Sequence, residues 1–222
     1  MEEYFDLLLS TPLFTGIAKD ELSSMLGCLG ARIATFSKND PVFLEGDDAG
    51  FLGFVLEGSI QIVQDDLYGN RSVLAHAQPG DLFAETFACA NVDVMPVSAY
   101  AVKNSKVFFF SCQKMLTVCS SACNFHNRLI KNLLKVVAQK NLNLNSKISV
   151  MSKKTTKEKL ITYLLEQAKK AGSLEFTIPF DRQTLADYLG VERSAMSAEL
   201  SKLRREGILD CKGSHFRIHR TS

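Results

Sequence analysis

The residues best suited to chemistry lie between Arg182 and Glu206. Arg193, Ser194, Ser197, Ala198, Ser201, Lys202 and Arg205 fall on one side of a helical wheel, and Met196, Leu200 and Leu203 fall on the other. A guanidinium at the start of such a helix can hold a guanine edge or a phosphate with two parallel hydrogen bonds. Hydroxyls can donate or accept, and Lys202, Arg204 and Arg205 suit backbone anchoring. Arg182 and Gln183 open the segment just before and belong to the same candidate surface. The chemistry offered is recognition of double-stranded DNA.

Two helices at a tight turn must present that surface. Leu185, Ala186 and Leu189 supply the apolar side of the first, and small Ala186 permits close approach of the second. Gly190 supplies a left-handed corner before Val191, and Gly207 ends the second helix. Beyond it, Ile208 to Ile218 reads as strand, Gly-Ser turn and strand, which makes a wing. Upstream, a helix from Thr156 to Lys170 stops at Gly172, and Glu175 to Phe180 reads as a short strand.

From Cys119 to about Ile148 there is neither Gly nor Pro, and apolar residues recur at helical spacing, so one long helix is expected. It carries two stripes: Phe125, Leu129 and Val136, and, well round the helix, Cys119, Cys123, Ile130, Leu134 and Val137. The first stripe is assigned to a seam between two copies, because Asn132, Gln139 and Asn143 flank it. From Ala31 to Phe110, short apolar runs alternate with turn glycines, the pattern of an antiparallel β-roll or barrel. Residues 4 to 30 read as short helices capping it, with a polar helix start at Thr15.

The fold class is therefore α+β. An N-terminal antiparallel β-roll spans 1–118, a dimerisation helix and hinge 119–150, and a C-terminal winged helix-turn-helix 151–222. Up to Val150 there are 12 basic and 15 acidic residues, and after it 14 and 9, which points the C-terminal segment toward a polyanion. No apolar run is long enough to span a bilayer and the N-terminus is acidic, so a cytoplasmic location without membrane contact is expected. Six cysteines without dense regular spacing suit free thiols in a reducing compartment. No Ser/His/Asp constellation, metal-ligand cluster of specific spacing or phosphate-cradling loop suggests an enzyme.

Over nearly its full length the chain resembles the Crp/Fnr family, relatives of the cyclic-AMP receptor protein. The similarity is carried by Gly46, Gly58, Gly69 and Gly80, by Gly80-Asp81-Leu82-Phe83-Ala84-Glu85, which is similar to the start of the phosphate-binding cassette, and by Asp181 to Gly190. It implies a homodimer held by the long helix, a pseudo-palindromic operator, RNA polymerase as a further partner, and an unknown small-molecule effector. The implied effector pocket comprises Gly80, Asp81, Leu82, Phe83, Glu85, Val97, Ser98, Leu129 and Leu133.

Where cyclic-nucleotide binders of the family end the cassette with Arg-Ser/Thr-Ala, this chain has Val97-Ser98-Ala99, and Leu144-Asn145 stands where a hydroxyl pair meets the base. Valine cannot reproduce a bidentate grip on phosphate, which argues against cyclic AMP. Glu85 could bind a polar effector or serve as a structural cap, and His76 reads as an ordinary strand histidine. Cys119, Cys123 and His126 share a helix face and could serve metal, haem or redox sensing, or simply fill the contact between helix and roll. Ser194 and Ala198 replace the family's usual base readers, so the operator differs. The rival reading is a ligand-binding regulatory subunit that docks on a protein.

Overall fold

The first half of the chain is organised by a period of two that is apolar on both faces of one sheet. Strand β3 (Phe51–Glu57) sends Leu52, Phe54 and Leu56 one way and Phe51 and Val55 the other, and β8 (Ser105–Ser111) divides Phe108 and Phe110 from Val107 and Phe109. With β1 (Arg32–Phe36) and β6 (Leu82–Phe83) they form an antiparallel sheet in the order β1-β8-β3-β6. Strands β2 (Pro41–Phe43), β4 (Ile60–Asp65), β5 (Arg71–Ala77) and β7 (Ser98–Ala101) form a second antiparallel sheet, β2-β7-β4-β5. The roll interior between the sheets holds Val55, Ile60, Ala77, Phe83, Ala99, Val107 and Phe109.

The computed structural model describes residues 2–68, 70–117 and 124–219. They divide into two units, Met1–Gln139 and Lys140–Ser222. In the first, α1 (Phe5–Leu9), α2 (Lys19–Cys28), α3 (Glu85–Cys89), α4 (Cys112–Leu116) and the first part of α5 (Asn124–Met151) cover the outer face of the β3–β8 sheet. Tyr4, Phe5, Leu8, Phe14, Leu22, Met25, Leu129 and Leu133 are buried there. The expected helix start at Thr15 is corrected: α2 begins at Lys19, where the Ala18 N–H donates to Glu21 Oε2 at 2.9 Å and supplies the cap.

Turn glycines Gly46, Gly58 and Gly80 all adopt positive φ, whereas Gly69 lies outside the described residues. Gly53 serves a different need. A Cβ there would lie 2.3 Å from the Phe83 ring, so its absence lets that ring lie on the β3 backbone.

In the second unit, α6 (Thr156–Ala171), α7 (Arg182–Leu189) and α8 (Arg193–Arg205) surround a core of Leu160, Leu164, Leu185, Leu189, Met196, Leu200 and Leu203. Thr155 caps α6 in reciprocal hydrogen bonds with Glu158, and Gly172 ends it at φ 64°. A three-stranded sheet, β10-β11-β9, comprises β9 (Glu175–Thr177), β10 (Leu209–Lys212) and β11 (His215–Ile218). Lys212 pairs with His215 across the Gly213-Ser214 turn, as expected of the wing. Strand β9 is shorter than its apolar run suggested, because Pro179 has no N–H to extend the ladder.

Candidate nucleic-acid interface

The corner between α7 and α8 forms where local chemistry demands it. Asp181 Oδ1 accepts the Thr184 N–H at 2.7 Å, starting α7, and Gly190 closes it at φ 59° and ψ 50°. Hydrogen bonding to backbone and side chain of Thr184 holds the Asp181 carboxyl below its ordinary range. Ala186 is fully buried between the helices. Helix α8 buries Met196, Leu200 and Leu203, and Gly207 at φ 68° follows its end.

The opposite side of α8 is exposed: Arg193, Ser194, Ser197, Ala198, Ser201, Lys202 and Arg205 all face outward. Arg193 occupies the first helical turn, where its charge also helps to lower the Asp181 carboxyl. Ser201 Oγ donates to the Ser197 carbonyl at 2.9 Å, which leaves that hydroxyl's lone pairs available as acceptors. Lys202 lies 4.0 Å from Glu206, whose other oxygen binds Lys157 at 2.9 Å. Gln183 on α7 is exposed and donates to Asp187 at 2.9 Å.

Arg182 departs from this group. Its guanidinium sits 5.2 Å from the Phe216 ring centroid and Nη2 donates to Cys211 Sγ at 3.3 Å. The side chain fastens the start of α7 to the wing sheet, so it is half-buried instead of projecting with Arg193. Sequence periodicity could not find this, because the partner is 29 positions away.

The wing is itself ordered by charge. Glu175 binds Arg217 at 2.7 Å and His215 at 3.0 Å across β9 and β11, and those partners, Arg217 foremost, hold its carboxyl below the ordinary range. The chain thus presents an amphipathic helix with a polar, cationic outer side beside a β-hairpin: a winged helix-turn-helix of the DNA-binding class, preceded by a β-roll.

The candidate effector residues do not converge. Phe83 belongs to the roll interior, where it stacks on Phe43 at 6.2 Å and meets Phe109 edge-on at 6.4 Å. Leu82, Leu129 and Leu133 belong to the core on the far side of the β3–β8 sheet. Gly80 and Asp81 form a turn clamped to β3, the Gly80 N–H donating to the Val55 carbonyl at 3.0 Å. Val97 is buried, and Ser98 Oγ is occupied by the Glu45 N–H at 3.0 Å. Glu85 is buried at the first position of α3, with the Thr86 hydroxyl 3.4 Å away. His76 is exposed on edge strand β5.

A cleft of about 200 Å³ does open beside the roll, lined among others by Arg32, Phe43, Asp47, Asp48, Phe51 and Phe109. Arg32 stacks 4.8 Å over Phe109; it carries no motif, which is why sequence reasoning passed over it.

The long helix packs the first of its expected stripes against its own unit. Leu129 is fully buried in its own unit's core, and Phe125 and Val136 pack against the same cluster, so the proposed seam faces the β-roll. Asn132 is also consumed internally, its amide donating to the carbonyls of Leu13 and Thr15 at 3.0 and 2.9 Å. The stripe left outside contains Leu134, 69% exposed, and Leu144 and Ile148, each 57% exposed. Cys119 and Cys123 lie outside the described residues, and His126 is buried. Among the described residues no group of three His, Cys, Asp or Glu side chains is arranged to hold a metal, and no helix is long and apolar enough to cross a membrane.

Comparison with known proteins agrees with this class. Residues 33–122 match the cyclic nucleotide-binding domain and residues 158–222 the Crp-like helix-turn-helix domain. The nitrogen fixation regulation protein FixK of Azorhizobium caulinodans is 25% identical, over 90% of this chain and 80% of its own. The cyclic AMP receptor protein of Thermus thermophilus is 23% identical, over 90% and 88%. The crystal structure of DNR from Pseudomonas aeruginosa shares the fold with a TM-score of 0.54 at 22% identity, covering 99% of this chain and 95% of that one. The chain belongs to the Crp/Fnr family of transcription regulators.

Proposed function

We propose that the chain works as a homodimeric, effector-controlled regulator that seats two copies of α8 in successive major grooves of a pseudo-palindromic operator, in the cytoplasm and in contact with RNA polymerase. The observation that carries this reading is α8 itself, with Met196, Leu200 and Leu203 buried and Arg193, Ser194, Ser197, Ser201, Lys202 and Arg205 exposed along one side. Base choice rests on Arg193, Ser194 and Ser197, and phosphate anchoring on Lys202 and Arg205.

The dimer is assigned to the outer stripe of α5. Ile130, Leu134, Asn141, Leu144 and Ile148 keep the four-and-three spacing of a two-stranded seam, with Val137, which also packs against its own unit's core, at the intervening position and Asn141 as the polar position. Asn145 Nδ2 donates to Asn141 Oδ1 at 2.9 Å, orienting that amide.

The effector is a small molecule other than cyclic AMP. Val97 stands in for the arginine that would hold a phosphate. The roll interior is filled by aliphatic side chains together with the Phe83 and Phe109 rings, and the cleft at Arg32, about 200 Å³, is smaller than the about 300 to 1,000 Å³ of a typical ligand site. The family and the absence of a catalytic constellation favour a non-enzymatic role.

Operator selection from genomic fragments followed by competition against random duplex tests the proposal. Arg193→Ala should weaken the selected operator by about 5- to 150-fold, the loss of about 1 to 3 kcal/mol expected for one bidentate base contact, and weaken random DNA far less. Lys202→Ala should weaken both alike. Equal behaviour of the two variants would count against α8 as the reading helix.

A further inference from the structure

The sensor unit holds a pair of thiols that the regulator described above does not use. Cys89, the last residue of α3, and Cys112, the first of α4, place their sulfurs 3.8 Å apart. Cys89 is half-buried and Cys112 buried. We propose that Cys89 and Cys112 are a covalent modification site, oxidised by a hydroperoxide to a reversible disulfide that joins α3 to α4.

Three observations support the proposal. First, the sulfurs are already in van der Waals contact, so the approach still needed for a bond of about 2.05 Å is within reach of side-chain rotation and a small shift of a short helix. Second, the two backbones are independently held: the Cys112 N–H donates to the Gly50 carbonyl at 3.0 Å and the Ala90 N–H to the Thr86 carbonyl at 3.0 Å. The pair is therefore not a product of loose termini. Third, the thiols are unequal. The hydrogen bond from Cys112 lowers the Cys89 pKa, opposed by burial and by the nearby Glu85 carboxylate, whereas that same contact and burial raise Cys112. Cys89 is also the more exposed residue of the pair. This is the division of labour between an attacking and a resolving cysteine.

The chemistry balances. The Cys89 thiolate attacks one peroxide oxygen, the O–O bond breaks, and hydroxide or alkoxide leaves, giving a sulfenic acid. The Cys112 sulfur then attacks the Cys89 sulfur, the S–O bond breaks, and the thiol proton and the departing hydroxide combine as water. Two electrons pass from the two sulfurs to the peroxide, and a thiol reductant reverses the reaction.

The experiment uses the reduced full-length chain, treated with a few equivalents of hydrogen peroxide, alkylated without reduction, digested and read by mass spectrometry. The expected product is a linked peptide joining Cys89 to Cys112, lighter by two hydrogens and abolished by dithiothreitol, formed while Cys28 and Cys211 still accept the alkylating reagent. With Cys112→Ala, dimedone should trap a sulfenic acid at Cys89, and with Cys89→Ser no trapped acid should form at Cys112. Cys89→Ser changes a half-buried residue and keeps the test available should the buried replacement unfold. Absence of the linked peptide, linkage of Cys89 to any other cysteine, or dimedone labelling that favours Cys112 would overturn the proposal.

Discussion

Arg182 and Arg193 are eleven residues apart and chemically identical, yet the wing takes one and leaves the other to solvent. Arg182→Ala removes the guanidinium from the Phe216 face and the contact with Cys211, an effect of about 1 kcal/mol on the C-terminal unit. Thermal unfolding should register that loss, whereas the ratio of operator to random-DNA affinity should stay unchanged. Gly53 is a second residue-scale constraint. In Gly53→Ala the new methyl displaces the Phe83 ring, so the sensor unit should lose about 1 to 3 kcal/mol, measurable by urea denaturation.

Titration acts at this scale too. Asp181, Glu158 and Glu175 all have folded-state pKa values below their ordinary ones, from backbone amides at two helix starts and from Arg217 at the wing. A lowered carboxyl pKa means that the stabilisation is present above the unfolded value of about 4 and is lost as pH falls through the folded value. The melting temperature should therefore hold from pH 7 to about 5 and fall below about 4, and Asp181→Ala should flatten part of that slope.

At the scale of elements, what could be read in the sequence depended on how many answers a pattern allowed. Helix α8 has one apolar stripe and one polar side, so its burial followed directly from spacing. The helix ends followed from Gly172, Gly190 and Gly207, whose left-handed conformations leave few substitutes. Helix α5 carries two apolar stripes, and periodicity cannot say which one meets the helix's own roll. That choice was made by Asn132 reaching the carbonyls of Leu13 and Thr15, residues more than a hundred positions away. The candidate effector residues are divided for a related reason. Leu82 and Phe83 are neighbours in sequence, but the pleat sends them to opposite faces of the sheet. Contrasting variants test the dimer seam proposed for α5. Leu134→Asp should leave the fold intact and move sedimentation toward a single-chain species, whereas Leu129→Asp, which buries an unpaired carboxylate, should unfold the sensor unit.

For the whole molecule, acidic residues outnumber basic ones before Val150 and the reverse holds after it, which concentrates attraction for a polyanion in the unit that carries α8. Affinity for duplex DNA should consequently drop steeply between about 50 and 200 mM salt, with a log–log slope that becomes shallower in Lys202→Ala. A competing role in docking on another protein would show weak salt dependence.

Asn141, midway along the outer stripe of α5, also bears on which chains can pair. In the proposed dimer, two facing Asn141 amides satisfy each other only when the helices are aligned head by head. A mate with leucine at that point leaves one amide stranded among hydrocarbon, at about 1 to 3 kcal/mol. In a cell that makes several regulators of this build, such a mark would keep half-and-half pairings rare, so that each operator meets matched reading heads.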